Sequence, residues 1–142
     1  RAKIMYASTM ALNGLTSYGR ESGDWGVHDI GHVLSVLFDT AHGATLSVVY
    51  PAWLKVQKDK IPDRITQLGK AVFGVNTANE TINSLETFFS SIASPVRLSD
   101  AGISSDKKQL ILDTMLKNKV RGANFKLTEE EMGSIVELMD LG

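Results

Sequence analysis

An all-α fold, a bundle of about six to eight helices, is what this sequence predicts. Three observations carry that reading. Apolar residues recur at helical spacing along nearly the whole chain. Proline occurs only 3 times in 142 residues. Runs of alternating β-branched residues are missing, and the one tempting stretch, Leu46 to Tyr50, has flanks that favour helix.

Taken in order, residues 2–13 read as a helix rich in small side chains (Ala7, Ser8, Ala11), which permits close packing. Asn13-Gly14 is a helix-end or turn signal, and residues 14–26, with several glycines, read at least partly as loop. A second helix over about 27–38 places Ile30, Val33, Leu34, Leu37 and Phe38 on one face. After a connection from Asp39 to Gly43, a third runs over about 44–58, with Trp53 in its apolar stripe and Pro51 expected to kink it. A fourth starts near Pro62, a good first-turn residue, with Ile65, Leu68, Gly69 and Val72 on one face. The capping box Thr77-x-x-Glu80 opens a fifth, expected to bury Ile82, Leu85, Phe89 and Ile92 and to stop before Pro95. A sixth covers about 105–118. A second capping box, Thr128-x-x-Glu131, opens the last, with Leu127 and Met132 as a hydrophobic staple.

Composition narrows the function classes. Net charge is −1 with both signs interspersed, so charge gives no reason to expect a nucleic-acid or membrane-surface partner. There is no cysteine, which excludes disulfides and thiolate metal sites and fits a cytoplasmic protein. No apolar run approaches the roughly 18 residues of a membrane span. Ser8, Thr9 and Asn13 interrupt the one stretch that resembles a signal peptide. The chain opens on Arg1 and runs straight into a helical pattern with no capping residue, so an upstream extension is expected.

All three histidines, His28, His32 and His42, fall within one short stretch. His28 and His32 stand four residues apart on the second helix and share the face opposite Ile30, Leu34 and Leu37. They therefore point toward solvent or toward another part of the protein, and His42 stands where it could converge with them. Imidazole is a common ligand for iron and zinc, and an i, i+4 pair is a recognised way of presenting two ligands. A bare His-x3-His also occurs as a plain solvated face, and the third histidine shifts the balance toward a metal. Asp24, Asp29 and Asp39 offer carboxylates as ligands or ligand supports, against simpler roles in loops and caps. Trp25 lines a substrate pocket or is a buried aromatic anchoring the loop. Dinucleotide-binding glycine motifs, a P-loop, Gly-x-Ser-x-Gly and a Ser/His/Asp grouping are missing, and Glu129, Glu130 and Glu131 suit the first turn of a helix.

The stretch Asp24-Trp25-Gly26-Val27-His28-Asp29-Ile30-Gly31-His32-Val33-Leu34-Ser35, followed by Ala41-His42-Gly43-Ala44, strongly resembles the histidine signature of iron-containing (group III) alcohol dehydrogenases. It is closest to the butanol-dehydrogenase and NADPH-dependent aldehyde-reductase branch. Met10-Ala11-Leu12-Asn13-Gly14 before it and Ser94-Pro95-Val96-Arg97-Leu98-Ser99-Asp100-Ala101-Gly102-Ile103 after it also fit, so the resemblance covers essentially the whole chain. Asp29 departs from the apolar residue common at that place.

The resemblance implies a dehydroquinate-synthase-like two-domain enzyme, homodimeric when complete. This chain, residues 1–142, would be its C-terminal helical metal-binding domain. An absent N-terminal α/β domain would bind most of the NADP or NAD. The family's divalent metal, Fe²⁺ or Zn²⁺, is held by one Asp and three His. By position, His28 and His42 resemble the last two ligands, and the other two would lie upstream of Arg1. His32 matches a histidine placed beside nicotinamide and substrate, which gives it a catalytic and cofactor-binding role. The implied chemistry is reversible reduction of an aldehyde to a primary alcohol, and this chain alone is expected to be inactive. The competing expectation is a stand-alone helical metal-binding or interaction module without redox activity.

Overall fold

The computed structural model describes residues 1–19 and 23–141. Among these are seven α-helices and no strand: α1 Ala2–Leu12, α2 Gly26–Phe38, α3 His42–Gln57, α4 Pro62–Val72, α5 Ala78–Ser91, α6 Lys108–Lys117 and α7 Glu129–Leu141. Three short 3-10 turns, Leu15–Ser17, Ser99–Ala101 and Ser105–Lys107, complete the regular structure. No helix among the described residues is long and apolar enough to cross a membrane.

Helix α3 is the hub, packed against α2, α5 and α7, while α4 pairs with α5, and α6 with α7 and α2. Ile30 and Leu34 of α2, Val49 of α3, Ile111 and Met115 of α6, and Ile135 and Met139 of α7 are fully enclosed. Each such side chain contributes about 1.5–3 kcal/mol of transfer free energy. Trp53 lies in this core as its stripe predicted. Pro51 sits buried within α3 without ending the helix. Both capping boxes form. Glu80 N–H donates to Thr77 Oγ1 (3.1 Å), and Glu131 N–H donates to Thr128 Oγ1 (3.2 Å) while Thr128 N–H donates to Glu131 Oε2 (2.9 Å). Asn13 and Gly14 end α1 as expected, with Gly14 left-handed at φ 84° and Asn13 Oδ1 accepting from Leu15 N–H.

Packing departs from the expected stripes at helix ends. Val72 and Ile92 are exposed, Val72 as the last residue of α4 and Ile92 as the C-cap of α5. Helix α1 buries none of its side chains, and Ile4, Met5, Tyr6 and Leu12 are each more than two-thirds exposed. The long connection between α5 and α6 is tied to the bundle at two places. Leu98 N–H donates to Met139 O (2.9 Å). Ser47 Oγ donates to Pro95 O (2.6 Å), which leaves it to accept from Ser94 Oγ (2.8 Å). Nearby, burial alone would raise the Glu86 carboxyl, yet hydrogen bonds from Arg97 and Lys55 outweigh it and hold the group below the usual carboxylate range.

Helices α4 and α5 approach closely because Gly69 has no side chain. A Cβ there would fall on Thr81 Oγ1 and lie 2.9 Å from Val75 Cγ2, while the Thr81 hydroxyl is itself held by Thr77 O (2.8 Å). Helix propensity favours alanine over glycine by about 1 kcal/mol, but forcing an atom into a packed contact costs about 1–3 kcal/mol. The clash is with an anchored side chain, so it wins. Gly69→Ala should therefore lower the thermal midpoint of the chain, and an unchanged or raised midpoint would show that α4 and α5 are not packed through this residue.

Candidate metal centre

The site is assembled by two helix starts. At the first, Asp24 Oδ2 accepts from Gly26 N–H (3.1 Å), and Trp25 between them is left-handed at φ 64°, a conformation uncommon for a bulky residue. Trp25 is 55% exposed, which removes the buried-anchor reading, and its ring lies 5.2 Å from that of His28, centroid to centroid. At the second, Asp39 takes a left-handed conformation to close α2 and Ala41 is extended. His42 is therefore the first residue of α3, where a connecting residue was expected. The fully buried Thr45 holds that turn by donating to His42 O (2.8 Å).

The shared face of His28 and His32 turns toward α3, and the three imidazoles cluster. Their nitrogens, one per ring, lie within 4.8 Å of one another, the one such group among the described residues. His28 Nδ1 and His42 Nε2 are 3.1 Å apart. His32 stacks on His42, centroids 4.5 Å apart and planes 10° from parallel. His28 and His42 are partly buried and His32 is exposed. Asp24, Asp29 and Asp39 stay outside the cluster. Asp24 is a cap, Asp29 stands in the first turn of α2 where it suits the helix dipole, and Asp39 ends the helix.

Gly31 makes this approach possible, and the sequence reading gave it no role. A Cβ there would lie 2.9 Å from Thr45 Oγ1, 3.1 Å from Leu46 Cδ2 and 3.5 Å from His42 Cε1. Its signal was available: glycine inside a helix costs about 0.5–1 kcal/mol relative to alanine, and one standing between two histidines marks a close approach. The histidines open in different directions. His28 borders an apolar cavity of about 470 Å³ lined by Val27, Leu46, Tyr50 and Phe89. His32 borders a more polar one of about 290 Å³ with Asp29 and Lys119. Burial raises the Tyr50 phenol, so it stays protonated.

The donor set fits a divalent transition metal. Two imidazole nitrogens sharing an ion through bonds of about 2.0–2.1 Å stand roughly 2.8–3.4 Å apart at right-angled to tetrahedral geometry, and the His28–His42 pair is already at 3.1 Å. His42 Nδ1 is buried with no hydrogen-bond partner in the described structure. Neutral imidazole suits iron or zinc.

A helical bundle with a convergent histidine cluster at two helix starts defines the class: an all-α domain equipped to bind a transition metal. A sequence model of the C-terminal part of the Fe-containing alcohol dehydrogenase family matches residues 1–139. The chain belongs to that family and corresponds to its C-terminal region. It is 33% identical over 145 residues to a probable NADH-dependent butanol dehydrogenase of Bacillus subtilis, covering 96% of this chain. It is 31% identical over 109 residues to the NADPH-dependent aldehyde reductase YqhD of Escherichia coli, covering 72% of this chain. Among solved structures, an NADH-dependent butanol dehydrogenase from Thermotoga maritima superposes with a TM-score of 0.87 at 32% identity over 95% of this chain. The chain spans 37% of the Bacillus relative and 28% of the Escherichia coli one, and 37% of the Thermotoga chain.

Burial, then the neighbouring His32 and His28, lower the pKa of His42 below its ordinary 6.5. Between the lowered value and 6.5 the unfolded chain takes up a proton that the folded chain does not. Stability of the metal-free chain should therefore fall as pH drops through that window, and His42→Gln should flatten the slope. Urea midpoints at about pH 7.5 and pH 5.5 measure it; a His42→Gln chain with the parent's full pH dependence would contradict the assignment.

Proposed function

We propose that this chain is the helical, metal-binding domain of a two-domain dehydrogenase that interconverts primary alcohols and aldehydes with NADH or NADPH. The observation that carries the reading is the convergence of His28 and His42 at 3.1 Å from two different helices. Relatives named for butanol and aldehyde chemistry support the substrate class, and their names divide between NADH and NADPH. In this reading the nucleotide is bound mainly by a separate α/β domain, and the complete enzyme is a homodimer, as in the resemblance from which both were inferred.

His28 and His42 hold the metal, either Fe²⁺ or Zn²⁺. Bound there, the metal supplies Lewis-acid polarisation of a carbonyl oxygen, and the nicotinamide supplies hydride. Aldehyde reduction needs one proton at that oxygen for each hydride at carbon. His32 is suited to deliver it, because it is exposed to water and stacks on a ligand ring. It would take up a replacement proton from water through the polar cavity it borders. Trp25, half-exposed against His28, walls the substrate side and limits water there. The apolar cavity beside His28 offers room for a hydrocarbon chain.

The roles separate by mutation in the intact enzyme. His28→Ala and His42→Ala should each strip or greatly weaken the metal, read as bound metal per subunit. His32→Ala should keep the metal and lose about 10²–10⁴-fold in kcat, with an altered pH profile. Metal and activity lost together in His32→Ala would make it a ligand, and normal turnover would reduce it to a solvated residue.

A further inference from the structure

We propose that Asp24 is a positioning residue for the metal centre: its carboxylate clamps residues 122–125 onto the start of α2 and so holds His28 in register with His42. The proposal rests on the metal-centre reading above and adds to it a residue remote from the metal and a segment of chain far away in sequence.

Both carboxylate oxygens and the main-chain carbonyl of Asp24 are used. Oδ1 accepts from Asn124 N–H (2.7 Å) and Phe125 N–H (2.6 Å), Oδ2 accepts from Gly26 N–H (3.1 Å), and the carbonyl accepts from Ala123 N–H (2.7 Å). Bonds from backbone N–H to an ionised acceptor are the stronger kind, and several converging on one residue fix its position. The chain is shaped around them. Gly122 is left-handed at φ 73°, and a Cβ on it would lie 2.6 Å from Asp24 Oδ2. A Cβ on Gly26 would lie 2.7 Å from the same oxygen and 3.3 Å from Gly122 Cα. Glycine at both places is what lets the carboxylate sit between the two segments.

The consequence falls on the next two side chains. Asp24 is pinned by residues 123–125 and Gly26 by its packing, so Trp25 between them is over-determined and held at φ 64°. Its ring is thereby set against His28, which stands in the first turn of the helix that Asp24 caps. His28 in turn meets His42 on α3. Freed of the clamp, Trp25 would relax from its left-handed conformation, the first turn of α2 would loosen, and the His28–His42 separation would no longer be fixed.

The test compares Asp24→Ala, Asp24→Asn and Leu127→Ala in the intact protein that contains this domain. Zn²⁺ affinity is read by chelator competition, the visible spectrum of bound Co²⁺ reports ligand geometry, and tryptophan emission is read on the metal-free protein. Leu127 is buried near the same loop and touches none of the clamp bonds, so its truncation lowers stability alone. Asp24→Ala should weaken Zn²⁺ binding about 10–100-fold, change the Co²⁺ spectrum and shift the emission of Trp25. Asp24→Asn should fall between, since its amide oxygen still accepts from Asn124 and Phe125 while its NH₂ cannot accept from Gly26. Leu127→Ala should melt lower yet bind Zn²⁺ as the parent does. Parental Zn²⁺ affinity and Co²⁺ spectrum in the Asp24 variants would overturn the proposal, as would equal weakening by Leu127→Ala; should Asp24→Ala fail to fold, Asp24→Asn decides in the same way. A parent that takes up no Zn²⁺ would overturn the metal-centre reading and this proposal with it, whereas a parent that binds beside variants that bind equally overturns this proposal alone.

Discussion

The packing of α2 on the first turn of α3 at Gly31 is the contact on which the rest of the site depends. With no Cβ at that residue, Thr45, Leu46 and the His42 ring can reach the α2 backbone. His28, one turn earlier on α2, then meets His42 nitrogen to nitrogen, and His32, one residue later, stacks on its ring. A Cβ at Gly31 would press on Thr45 and Leu46, so the α2–α3 contact would have to shift. The bundle core supports this contact from behind, through Ile30, Val33 and Leu34 on the opposite face of α2 and Val48 and Val49 on α3.

That arrangement gives three similar side chains different surroundings. His28 and His42 are partly withdrawn from water and directed at each other, while His32 keeps an edge in solvent. The neutral form of His42 is favoured by burial and by two neighbouring imidazoles, and the neutral form is the one that can donate a lone pair. The same crowding that penalises a proton on His42 favours the neutral form the proposed metal centre needs. The exposed His32 imidazole beside that pair is the one in contact with water. The division follows from position alone, since the residue type is the same at all three places.

Much of this was legible in the sequence. The apolar spacing located the helices, and the capping boxes at Thr77 and Thr128 fixed two helix starts, because these features act within a few residues of chain. The i, i+4 spacing put His28 and His32 on one face and away from their own core. Other parts depend on contacts that sequence spacing does not encode. Asp24 was read as a loop or capping residue before a ligand, and the cap is there, but its bonds to backbone 100 residues away lie beyond any local pattern. Trp25 read as a pocket-lining residue or as a buried anchor, and spacing alone could not reveal the left-handed backbone and exposed ring that set the anchor aside. The periodicity of α1 was read correctly as helix, but periodicity says nothing of which partner covers a helix, and α1 buries no side chain. Val72 and Ile92 kept the helical phase of their stripes and lost burial because they stand at helix ends.

The central claim is that one metal ion is shared by His28 and His42 and not by His32. Anomalous diffraction at the absorption edge of the bound metal, on crystals of the intact protein, tests it most directly. A single peak is expected at bonding distance, about 2.0–2.2 Å, from one nitrogen each of His28 and His42, with both nitrogens of His32 clearly farther away. A peak bonded to His32, or one that leaves either His28 or His42 uncoordinated, would contradict it.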